Sequence, residues 1–390
     1  MKYPLSCDTW GTEEVDAIQK VIKSGRYTMG EEVFAFEKQF AEFMDVKHAK
    51  MVNSGSSANL LMIGSAIYNP RYNLKPGDSV IVPAVSWSTT YYPLQQYGLK
   101  LIFCDVDLHT LNLDINEVKK AIVEHKPAAI LTVNLLGNPS DLTELSNIAE
   151  ENNNILFEDN CESFGAEING RKTGTFGTMG THSFFFSHHL QTMEGGMILT
   201  NYEEDAQYID SMRAHGWLRT LPNENFIHNK TGDPFEDSFR FVLPGYCVRP
   251  LEMSGAVGQV QLQKANEMLD QRIINSKIYH HFFDNTDYAR TQLPTQNSVH
   301  SYFGFSFVLE NNLRNRRKDV INLFKEYGIE CRPIVAGNFM RNPVIERLCY
   351  RTFGTYDNAN EIHDQGFFLG NDNRNLEEQL TKVKELMETL

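Results

Sequence analysis

The sequence predicts an α/β protein with two domains: a large one built on a mostly parallel sheet, and a smaller α+β one. Short apolar runs alternate with helical patterns from His48 to about Thr200, an order typical of a parallel sheet covered by helices on both faces. Past Pro250 this alternation stops, and 390 residues are too many for one simple core. We therefore expect a large domain over residues 1–250 and a smaller C-terminal domain over residues 251–390.

Two amphipathic helices are predicted before the first strand. The segment Thr12–Ser24 repeats apolar residues at helical spacing and is followed by Gly25, a common helix stop. Phe36, Phe40 and Phe43 repeat that spacing in the next segment. Both stripes predict helices that face the core.

The alternating region supplies the elements of the large domain. The predicted strands are the short apolar runs at 49–52, 79–82, 101–104, 128–133 and 155–158. The helices predicted between them cover about 58–66, 89–97, 115–124 and 142–151. Two further strands and one helix are predicted after them, at 181–186, 197–200 and 203–213.

The region after residue 250 predicts a different arrangement. It begins with one long helix over 253–276 and continues as a smaller mixed layer. That layer contains predicted strands at 302–309 and 330–335 and predicted helices at 316–327 and 376–387.

Charge and composition exclude several classes of protein. A net charge of −14 has the wrong sign for a general nucleic-acid binder, because phosphate backbones need a basic surface. The chain is 41% hydrophobic and 22% charged, as in soluble globular proteins, and no apolar run reaches membrane-spanning length. The first residues lack the apolar run of a secretory signal, so we expect a cytoplasmic protein. The six cysteines are scattered without a C-x-x-C pair and are expected to be reduced thiols.

Three segments at predicted strand ends carry residues suited to a ligand site. Asp159 follows the strand over 155–158, and open α/β sheets bind ligands at the carboxyl ends of their strands. The serine loop, Asn-Ser-Gly-Ser-Ser-Ala over residues 53–58, opens a helix where N–H groups and the dipole favour an anion. Trp87 follows a third strand. Taken singly, the aspartate and the serines also fit helix caps, and the tryptophan fits a core position.

The segment 181–197, Thr-His-Ser-Phe-Phe-Phe-Ser-His-His-Leu-Gln-Thr-Met-Glu-Gly-Gly-Met, is the most informative part of the chain. It resembles the cofactor segment of nucleotide-sugar aminotransferases that depend on pyridoxal phosphate (PLP). In that family a lysine, at a fixed distance before Glu-Gly-Gly, holds the cofactor covalently. The resemblance covers essentially the whole chain and implies the aspartate-aminotransferase fold. Here the lysine position is His188, which cannot form that bond, although an ordinary imidazole pKa of about 6.5 suits proton transfer near neutrality.

The resemblance also implies which residues contact the cofactor: Ser56, Ser57, Trp87, Asp159, Glu162 and Ser183. In the family, the aspartate matching Asp159 pairs with the protonated ring nitrogen and keeps the ring electron-poor. The serines bind the phosphate, and Trp87 lies where an aromatic side chain stacks on the ring. Glu162 replaces the usual glutamine or histidine and is expected near the ring hydroxyl.

The replacement of the lysine by a histidine resembles the pattern found in deoxygenating members of the family, the nucleotide-sugar 3-dehydratases. The resemblance implies removal of the C3 hydroxyl from a GDP-linked 4-keto-6-deoxy sugar, with L-glutamate restoring pyridoxamine phosphate (PMP) from PLP. The D-mannose form is favoured, as in the colitose type of dideoxysugar synthesis for O-antigen or capsule. We expect His188 to act as both base and acid, and His189 to be structural. Other 3-dehydratases carry a cysteine-bound iron–sulfur cluster, and no cysteine spacing here resembles that site.

Two further segments resemble family motifs for the dimer interface and the substrate. Residues 245–249, Gly-Tyr-Cys-Val-Arg, resemble a Gly-Tyr-Asn-x-Arg motif that reaches the neighbouring subunit's cofactor, which implies a homodimer with shared active sites. Cys247 replaces the asparagine and is a poor hydrogen-bond donor. The expected substrate-binding residues are His215, Arg219, Arg249, Glu330 and Arg332. Among them Arg219 is suited to bidentate binding of a diphosphate.

Two alternatives remain open. A GDP-linked 4-keto-6-deoxy-heptose presents the same reacting carbons as the hexose. A catalytically silent aminotransferase-fold protein that binds cofactor or nucleotide sugar would also lack the lysine. Against the silent protein stand Asp159, the serine loop and a replacement side chain that transfers protons.

Overall fold

The computed structural model describes residues 2–390. The helices are α1 (Thr12–Ser24), α2 (Glu31–Met44), α3 (Gly55–Tyr68), α4 (Ser88–Gln96), α5 (Ile115–His125), α6 (Leu142–Glu151), α7 (Glu203–Met212), α8 (Pro234–Ser238), α9 (Glu252–Gln263), α10 (Ala265–Phe283), α11 (Arg317–Glu326), α12 (Asp357–Gln365) and α13 (Glu377–Glu388). The strands are β1 (His48–Val52), β2 (Ser79–Pro83), β3 (Lys100–Cys104), β4 (Ala129–Val133), β5 (Ile155–Asp159), β6 (Glu167–Ile168), β7 (Arg171–Lys172), β8 (Met179–Ser183), β9 (Gly196–Thr200), β10 (Ala289–Thr291), β11 (Ser298–Val299), β12 (Gly304–Leu309), β13 (Cys331–Arg332), β14 (Tyr350–Arg351) and β15 (Gly366–Gly370). Within this part of the chain no helix is long and apolar enough to cross a bilayer.

Eight strands form the central sheet, in the order β1-β9-β8-β5-β4-β2-β3-β14. Neighbouring strands are parallel except around β9, which runs antiparallel to β1 and β8. β4 and β9 are buried along their whole length because both faces of the sheet are covered. The predicted mostly parallel α/β sheet is confirmed. The two-residue β14 comes from the C-terminal part of the chain and has no signal in the sequence.

The register of the sheet collects the predicted site segments at one edge. Asp159 at the end of β5 is paired with Val133 of β4 and with Thr181 of β8. Parallel strands end together, so the residues that follow these strands lie near one another. Most of α3 is buried, and this fixes the position of the serine loop at its N-terminus.

A second, antiparallel sheet has the order β10-β12-β15-β13. Its core is aromatic and packs against α10, α11 and α13 through Tyr279, Phe283, Phe305, Phe307, Phe324 and Phe367. The strand predicted at 302–309 begins only at Gly304, because Tyr302 takes a left-handed conformation with φ 48°. The strand predicted at 330–335 is reduced to Cys331–Arg332, since Pro333 follows and has no N–H to pair.

The helix predicted over 253–276 is divided into α9 and α10 at Lys264. The Lys264 ammonium lies 2.9 Å from the buried Glu14 carboxylate of α1. At the start of α9, the Glu252 carboxylate accepts the Gly30 N–H at the start of α2, at 2.5 Å. A carboxylate at a helix N-terminus satisfies unpaired donors and complements the dipole. These contacts dock α9 on the N-terminal helices, and the boundary between two domains stays a prediction.

A buried ion-pair network ties β1 to the residues after α7. Arg213 is 2% exposed; its guanidinium contacts the Glu37 carboxylate, and Nη1 donates to the Met51 carbonyl at 2.8 Å. Its Nη2 lies 2.5 Å from Asp210, whose other carboxylate oxygen lies 2.5 Å from the Lys50 ammonium. Buried charges of this kind are stable only when they are paired. The network therefore holds β1, and the serine loop that follows it, against the end of α7.

Replacing Arg213 with methionine should destabilise the protein by about 3–5 kcal/mol, because buried carboxylates lose their partner. Lys20→Met is the matched control: it removes an exposed pair with Glu32 and should change stability by less than about 1 kcal/mol. Urea unfolding followed by circular dichroism measures both variants. Equal losses in the two variants would contradict this role of the network.

Candidate active site

Asp159, the last residue of β5, is held by donors from three segments. Its Oδ2 accepts hydrogen bonds from Asn59 Nδ2 of α3 and Thr90 Oγ1 of α4, each at 2.8 Å. Its Oδ1 accepts the Cys161 N–H at 3.3 Å. These bonds fix the orientation of the carboxylate. A fixed carboxylate at the ligand-binding edge of the sheet is suited to pair with a protonated ring nitrogen.

Trp87 lies one helical turn before Thr90. It is the N-cap residue of α4, and its side chain is 57% exposed. An exposed indole at a strand end offers a flat apolar surface on which another ring can stack. The position is compatible with the predicted stacking role.

The serine loop opens α3 with a chain of short hydrogen bonds. Ser54 is the N-cap, and its Oγ accepts the Ser57 N–H at 3.1 Å. Ser57 Oγ donates to Asn53 Oδ1 at 2.6 Å, and Ser56 Oγ donates to Thr89 Oγ1 at 2.9 Å. The first turn contains no acidic side chain. Its N–H groups and dipole therefore present a positive end to an anion.

Gly55 brings the serine loop against the end of β8. A Cβ at this position would lie 2.6 Å from Ser183 Cβ and 2.9 Å from Cys161 Sγ, closer than ordinary contacts allow. The missing side chain thus creates a small polar cradle between the helix N-terminus and the Ser183 hydroxyl. The serines expected at the phosphate lie together, and their role stays a prediction.

His188 lies in the loop over residues 184–195, between β8 and β9. Its N–H donates to the Phe185 carbonyl at 2.8 Å, and its ring centroid is 5.1 Å from that of Phe303. Burial, aided by the Arg272 guanidinium, lowers the pKa of His188 to about 4. The pKa of this side chain thus lies below the unperturbed imidazole value of about 6.5. The imidazole is neutral at pH 7 and ready to accept a proton.

His189 has a different environment from its neighbour. Its Nε2 lies 3.1 Å from the Ser301 carbonyl, and the side chain is 2% exposed. Burial lowers the pKa of His189 well below its ordinary value. A neutral, buried ring bonded to the backbone fits a structural residue.

Glu162 lies on the loop after β5, close to Asp159. Its Oε2 accepts the Leu136 N–H at 2.9 Å. Burial raises the pKa of Glu162 to about 7, and the Asp159 carboxylate also raises it. The Glu162 carboxyl group is therefore partly protonated near neutral pH, so it can donate a hydrogen bond as well as accept one.

Glu162→Gln should flatten the pH dependence of stability. The folded-state pKa is raised, so the stability contributed by Glu162 is present below about pH 4.5 and is lost as the pH rises through about 7. Glutamine does not titrate, and the exposed Glu31→Gln serves as control. Thermal melting of cofactor-free protein at about pH 5 and about pH 8 measures the effect. If the melting temperature of Glu162→Gln changes between the two pH values as much as that of the parent protein, the pKa of Glu162 is not raised.

The cationic-aromatic cluster, made of His215, Trp217, Arg219 and Arg249, forms a second group. The His215 and Trp217 ring centroids are 4.6 Å apart. The Arg219 and Arg249 guanidinium carbons lie 3.5 Å and 5.5 Å from the Trp217 ring centroid. These separations are typical of cation–π contacts. Two cations beside an aromatic surface suit an anionic nucleotide.

Backbone contacts connect this cluster to the serine loop. The His215 N–H donates to the Tyr246 carbonyl at 2.9 Å, and the Asn53 N–H donates to the Val248 carbonyl at 2.9 Å. Cys247 is exposed, and Arg249 Nη2 lies 3.5 Å from its sulfur. The segment over 245–249 thus runs from the cationic-aromatic cluster to the end of β1.

Glu330 and Arg332 lie at the edge of the small sheet, directly before β13 and within it. Glu330 Oε2 accepts the Leu5 N–H at 3.3 Å, and Arg332 is exposed on β13. Among residues 2–390, neither side chain is hydrogen-bonded to Asp159 or to His188. The role of these two residues in binding the substrate therefore stays a prediction.

The profile of the DegT/DnrJ/EryC1/StrS aminotransferase family matches residues 8–388. The chain belongs to this family. A DegT/DnrJ/EryC1/StrS member from Yersinia pseudotuberculosis, named GDP-4-keto-6-deoxy-D-mannose 3-dehydratase, is 48% identical over 98% of this chain and 97% of its own length. A protein of the same name from Escherichia coli O55:H7 is 47% identical over 99% of this chain and 100% of its own length.

Solved structures of family members superimpose closely. A variant of GDP-4-keto-6-deoxymannose-3-dehydratase with bound GDP-perosamine has a TM-score of 0.96 and 47% identity, covering 99% of this chain and 100% of that chain. The same enzyme with a trapped PLP-glutamate geminal diamine has a TM-score of 0.95 at 47% identity and the same coverage. These matches confirm the predicted PLP aminotransferase fold.

The DegT/DnrJ/EryC1/StrS site in this chain fits PLP on its own geometry. The cradle at Gly55 leaves open a space that a side chain would fill, at the positive end of α3. Asp159 supplies an oriented carboxylate for a ring nitrogen. Within residues 2–390, no group of three or more His, Cys, Asp or Glu side chains is arranged to hold a metal ion.

Four residues of this site are absent from the sequence-based expectations: Asn59, Thr90, Arg272 and Phe303. Asn59 carries a usable signal, because a buried amide in a largely apolar helix is costly unless it is hydrogen-bonded. Arg272 and Phe303 come from segments far along the chain from His188. No local pattern connects them to it.

Proposed function

We propose that the protein removes the C3 hydroxyl of a GDP-linked 4-keto-6-deoxy sugar, GDP-4-keto-6-deoxy-D-mannose, using PLP and PMP as cofactor forms. The observation that carries this proposal is a neutral imidazole, His188, at the position of the family lysine. Full-length relatives at 47–48% identity bear the corresponding name. In the net reaction the sugar loses one oxygen atom, and glutamate becomes 2-oxoglutarate and ammonia. We place this activity in the cytoplasm, in colitose-type dideoxysugar synthesis for O-antigen or capsule.

The residues proposed to hold the cofactor are Ser56, Ser57, Trp87, Asp159, Glu162 and Ser183. When bound, PLP supplies an electron-withdrawing ring that stabilises negative charge on an attached carbon. Asp159 would pair with the ring nitrogen, and the three serines would hold the phosphate at the start of α3. Trp87 would cover one face of the ring. Glu162, partly protonated near neutrality, would donate a hydrogen bond to the ring hydroxyl oxygen.

His188 would transfer the proton on which the reaction depends. Its low pKa keeps the ring unprotonated at pH 7, so it accepts a proton from carbon and then delivers one to the leaving hydroxyl. One imidazole serves both transfers. Because this side chain has no amine, it does not compete with the amine form of the cofactor.

The cationic-aromatic cluster would bind the GDP part of the substrate. Arg219 and Arg249 supply positive charge for the diphosphate, and His215 and Trp217 supply aromatic surface. A family structure with bound GDP-perosamine supports a GDP-linked sugar, and one with a PLP-glutamate adduct supports glutamate as the amino donor.

We also propose a homodimer whose subunits share the active sites. Two large aromatic side chains that pack on Trp217 of the cationic-aromatic cluster are exposed in the single chain: Phe239 is 69% and Phe241 58% exposed. Exposed apolar surface of this kind marks an interaction site. A second copy would bury it beside Tyr246, which is also exposed.

Sedimentation should show a dimer, and the double variant Phe239→Asp, Phe241→Asp should sediment as a monomer with little activity, because charges would be placed at the interface. Val123→Asp is the control, since this valine is 79% exposed on α5 and should tolerate a charge. A fully active monomer would contradict the shared site.

A panel of GDP-linked 4-keto sugars tests the proposed reaction. Each sugar is incubated with the protein, PLP and glutamate, and the products are analysed by mass spectrometry. We expect GDP-4-keto-6-deoxy-D-mannose to lose one oxygen atom. If the GDP-linked 4-keto-6-deoxy-heptose is converted in preference to the hexose, the proposed dehydration stands and the proposed substrate is wrong. No product from any sugar would favour the catalytically silent binding protein.

A further inference from the structure

The His188 side chain packs among aromatic rings. Its Nδ1 is buried and has no hydrogen-bond partner within residues 2–390. Histidine bases are commonly oriented by an acceptor on the second ring nitrogen. Here the neighbours are aromatic: Phe303 lies 5.1 Å and Phe185 6.3 Å away, measured between ring centroids. Phe303 also packs on His189 at 5.8 Å, so one phenyl ring contacts both histidines.

Phe303 is itself held by the backbone. Its N–H donates to the Leu136 carbonyl at 2.9 Å. Arg272 Nη1 donates to the carbonyls of Tyr302 and Phe303, at 3.2 and 3.4 Å. Leu136 uses its other backbone group to donate to the Glu162 carboxylate at 2.9 Å. The backbone of Leu136 therefore connects Glu162, which lies close to Asp159, to Phe303, whose ring packs on His188.

Two residues of this connection take a sparsely populated backbone conformation. Leu136 and Tyr302 are both left-handed, with φ of 53° and 48°. Such conformations persist only where the surroundings hold them, and they cluster at functional sites. Gly137 permits the close approach, since a Cβ there would lie 2.6 Å from the Tyr302 nitrogen. The Tyr302 ring stacks on His300 at 3.7 Å, and its hydroxyl lies 3.0 Å from His280 Nε2.

We propose that Phe303 is a positioning residue, which orients the His188 imidazole and excludes water from it, while Leu136 and Arg272 hold Phe303 in place. This inference rests on the proposed function, because it concerns the support of the His188 base. The charged and titratable groups that face His188 are Arg272 of α10 and the neighbouring His189. Removing the phenyl ring admits water and weakens the burial that depresses the pKa of His188.

Phe303→Ala tests the proposal through two readouts. In protein labelled at the histidine rings, the NMR titration of His188, assigned with His188→Asn, should move from about 4 toward about 6.5. In the holoenzyme, kcat should fall by about tenfold or more while KM stays nearly constant, because the base is misplaced and the substrate site is not. Phe303→Tyr keeps a flat ring and should restore both values. If the alanine variant does not fold, Phe303→Leu is used instead, and it should also raise the pKa of His188 and lower kcat.

Phe353→Ala is the matched control. Phe353 is also half-buried and packs on a histidine, His125, at 5.5 Å between ring centroids. Its replacement should leave the His188 titration and kcat unchanged. An unchanged His188 titration in folded Phe303→Ala would overturn the proposal. The NMR readout does not depend on the reaction, so a shifted titration in a protein that dehydrates no sugar would retain the positioning role and refute the proposed function alone.

Discussion

His188→Asn should lower turnover by about a hundred- to ten-thousand-fold, the usual contribution of a general acid–base group. Asparagine is polar and of similar size, but its amide does not accept a proton from carbon near neutral pH. The variant leaves Asp159 and the serine loop unchanged, so PLP should remain bound at near-normal affinity. The rate of formation of the deoxygenated sugar and the cofactor retained after gel filtration measure the two effects.

His281→Asn is the matched control for this variant. His281 is an exposed histidine on α10, and its replacement should leave turnover unchanged. Near-normal turnover in His188→Asn would show that the catalytic assignment of His188 is wrong. Loss of the cofactor together with turnover would show instead that His188 is needed for binding.

His188→Lys should hold PLP covalently, which no other side chain of the site is expected to do. The new amine would occupy the position of the family lysine, and burial lowers the pKa of an ammonium, so a neutral, nucleophilic amine is favoured. The protein should be yellow, and borohydride reduction should fix one PLP mass to the chain. Dehydration should fall severely, because the lysine competes for the cofactor aldehyde.

His188→Arg is the control for covalent attachment. Arginine is also long and cationic, but its guanidinium stays protonated and does not act as the nucleophile. After borohydride treatment and denaturation, no PLP mass should remain attached to the chain of this variant. Absence of bound mass in His188→Lys, with a normal fold and added PLP, would contradict the placement of residue 188 at the reactive carbon of the cofactor.

The large sheet could be predicted because its pattern is local. Strands buried on both faces are short apolar runs, and the runs predicted at 79–82 and 155–158 agree within one residue with β2 and β5. The late start of β12 could not be predicted, since it depends on a left-handed Tyr302 that is held by tertiary contacts. The two-residue β14 pairs with β3 from far along the chain and has no periodicity of its own.

The site likewise combines features that follow from local sequence patterns with features that depend on tertiary contacts. Asp159 and the serine loop follow strands directly, so their positions at one edge of the sheet could be inferred from the sequence. The electrostatic state of His188 could not be inferred from the sequence. Its low pKa arises from burial and from Arg272, both set by the packing of distant segments. The sequence therefore identified His188 as the candidate base, and its lowered pKa became apparent only from the structure.

The fate of the glutamate nitrogen tests the central claim most directly. The protein is supplied with PLP, nitrogen-labelled glutamate and GDP-4-keto-6-deoxy-D-mannose, and the label is followed into sugar and ammonia by mass spectrometry. If His188 supports dehydration, the label appears in free ammonia and the sugar is lighter by one oxygen atom. If the label is retained in an amino sugar that has kept its C3 oxygen, the protein catalyses ordinary transamination, and the proposed dehydration is wrong.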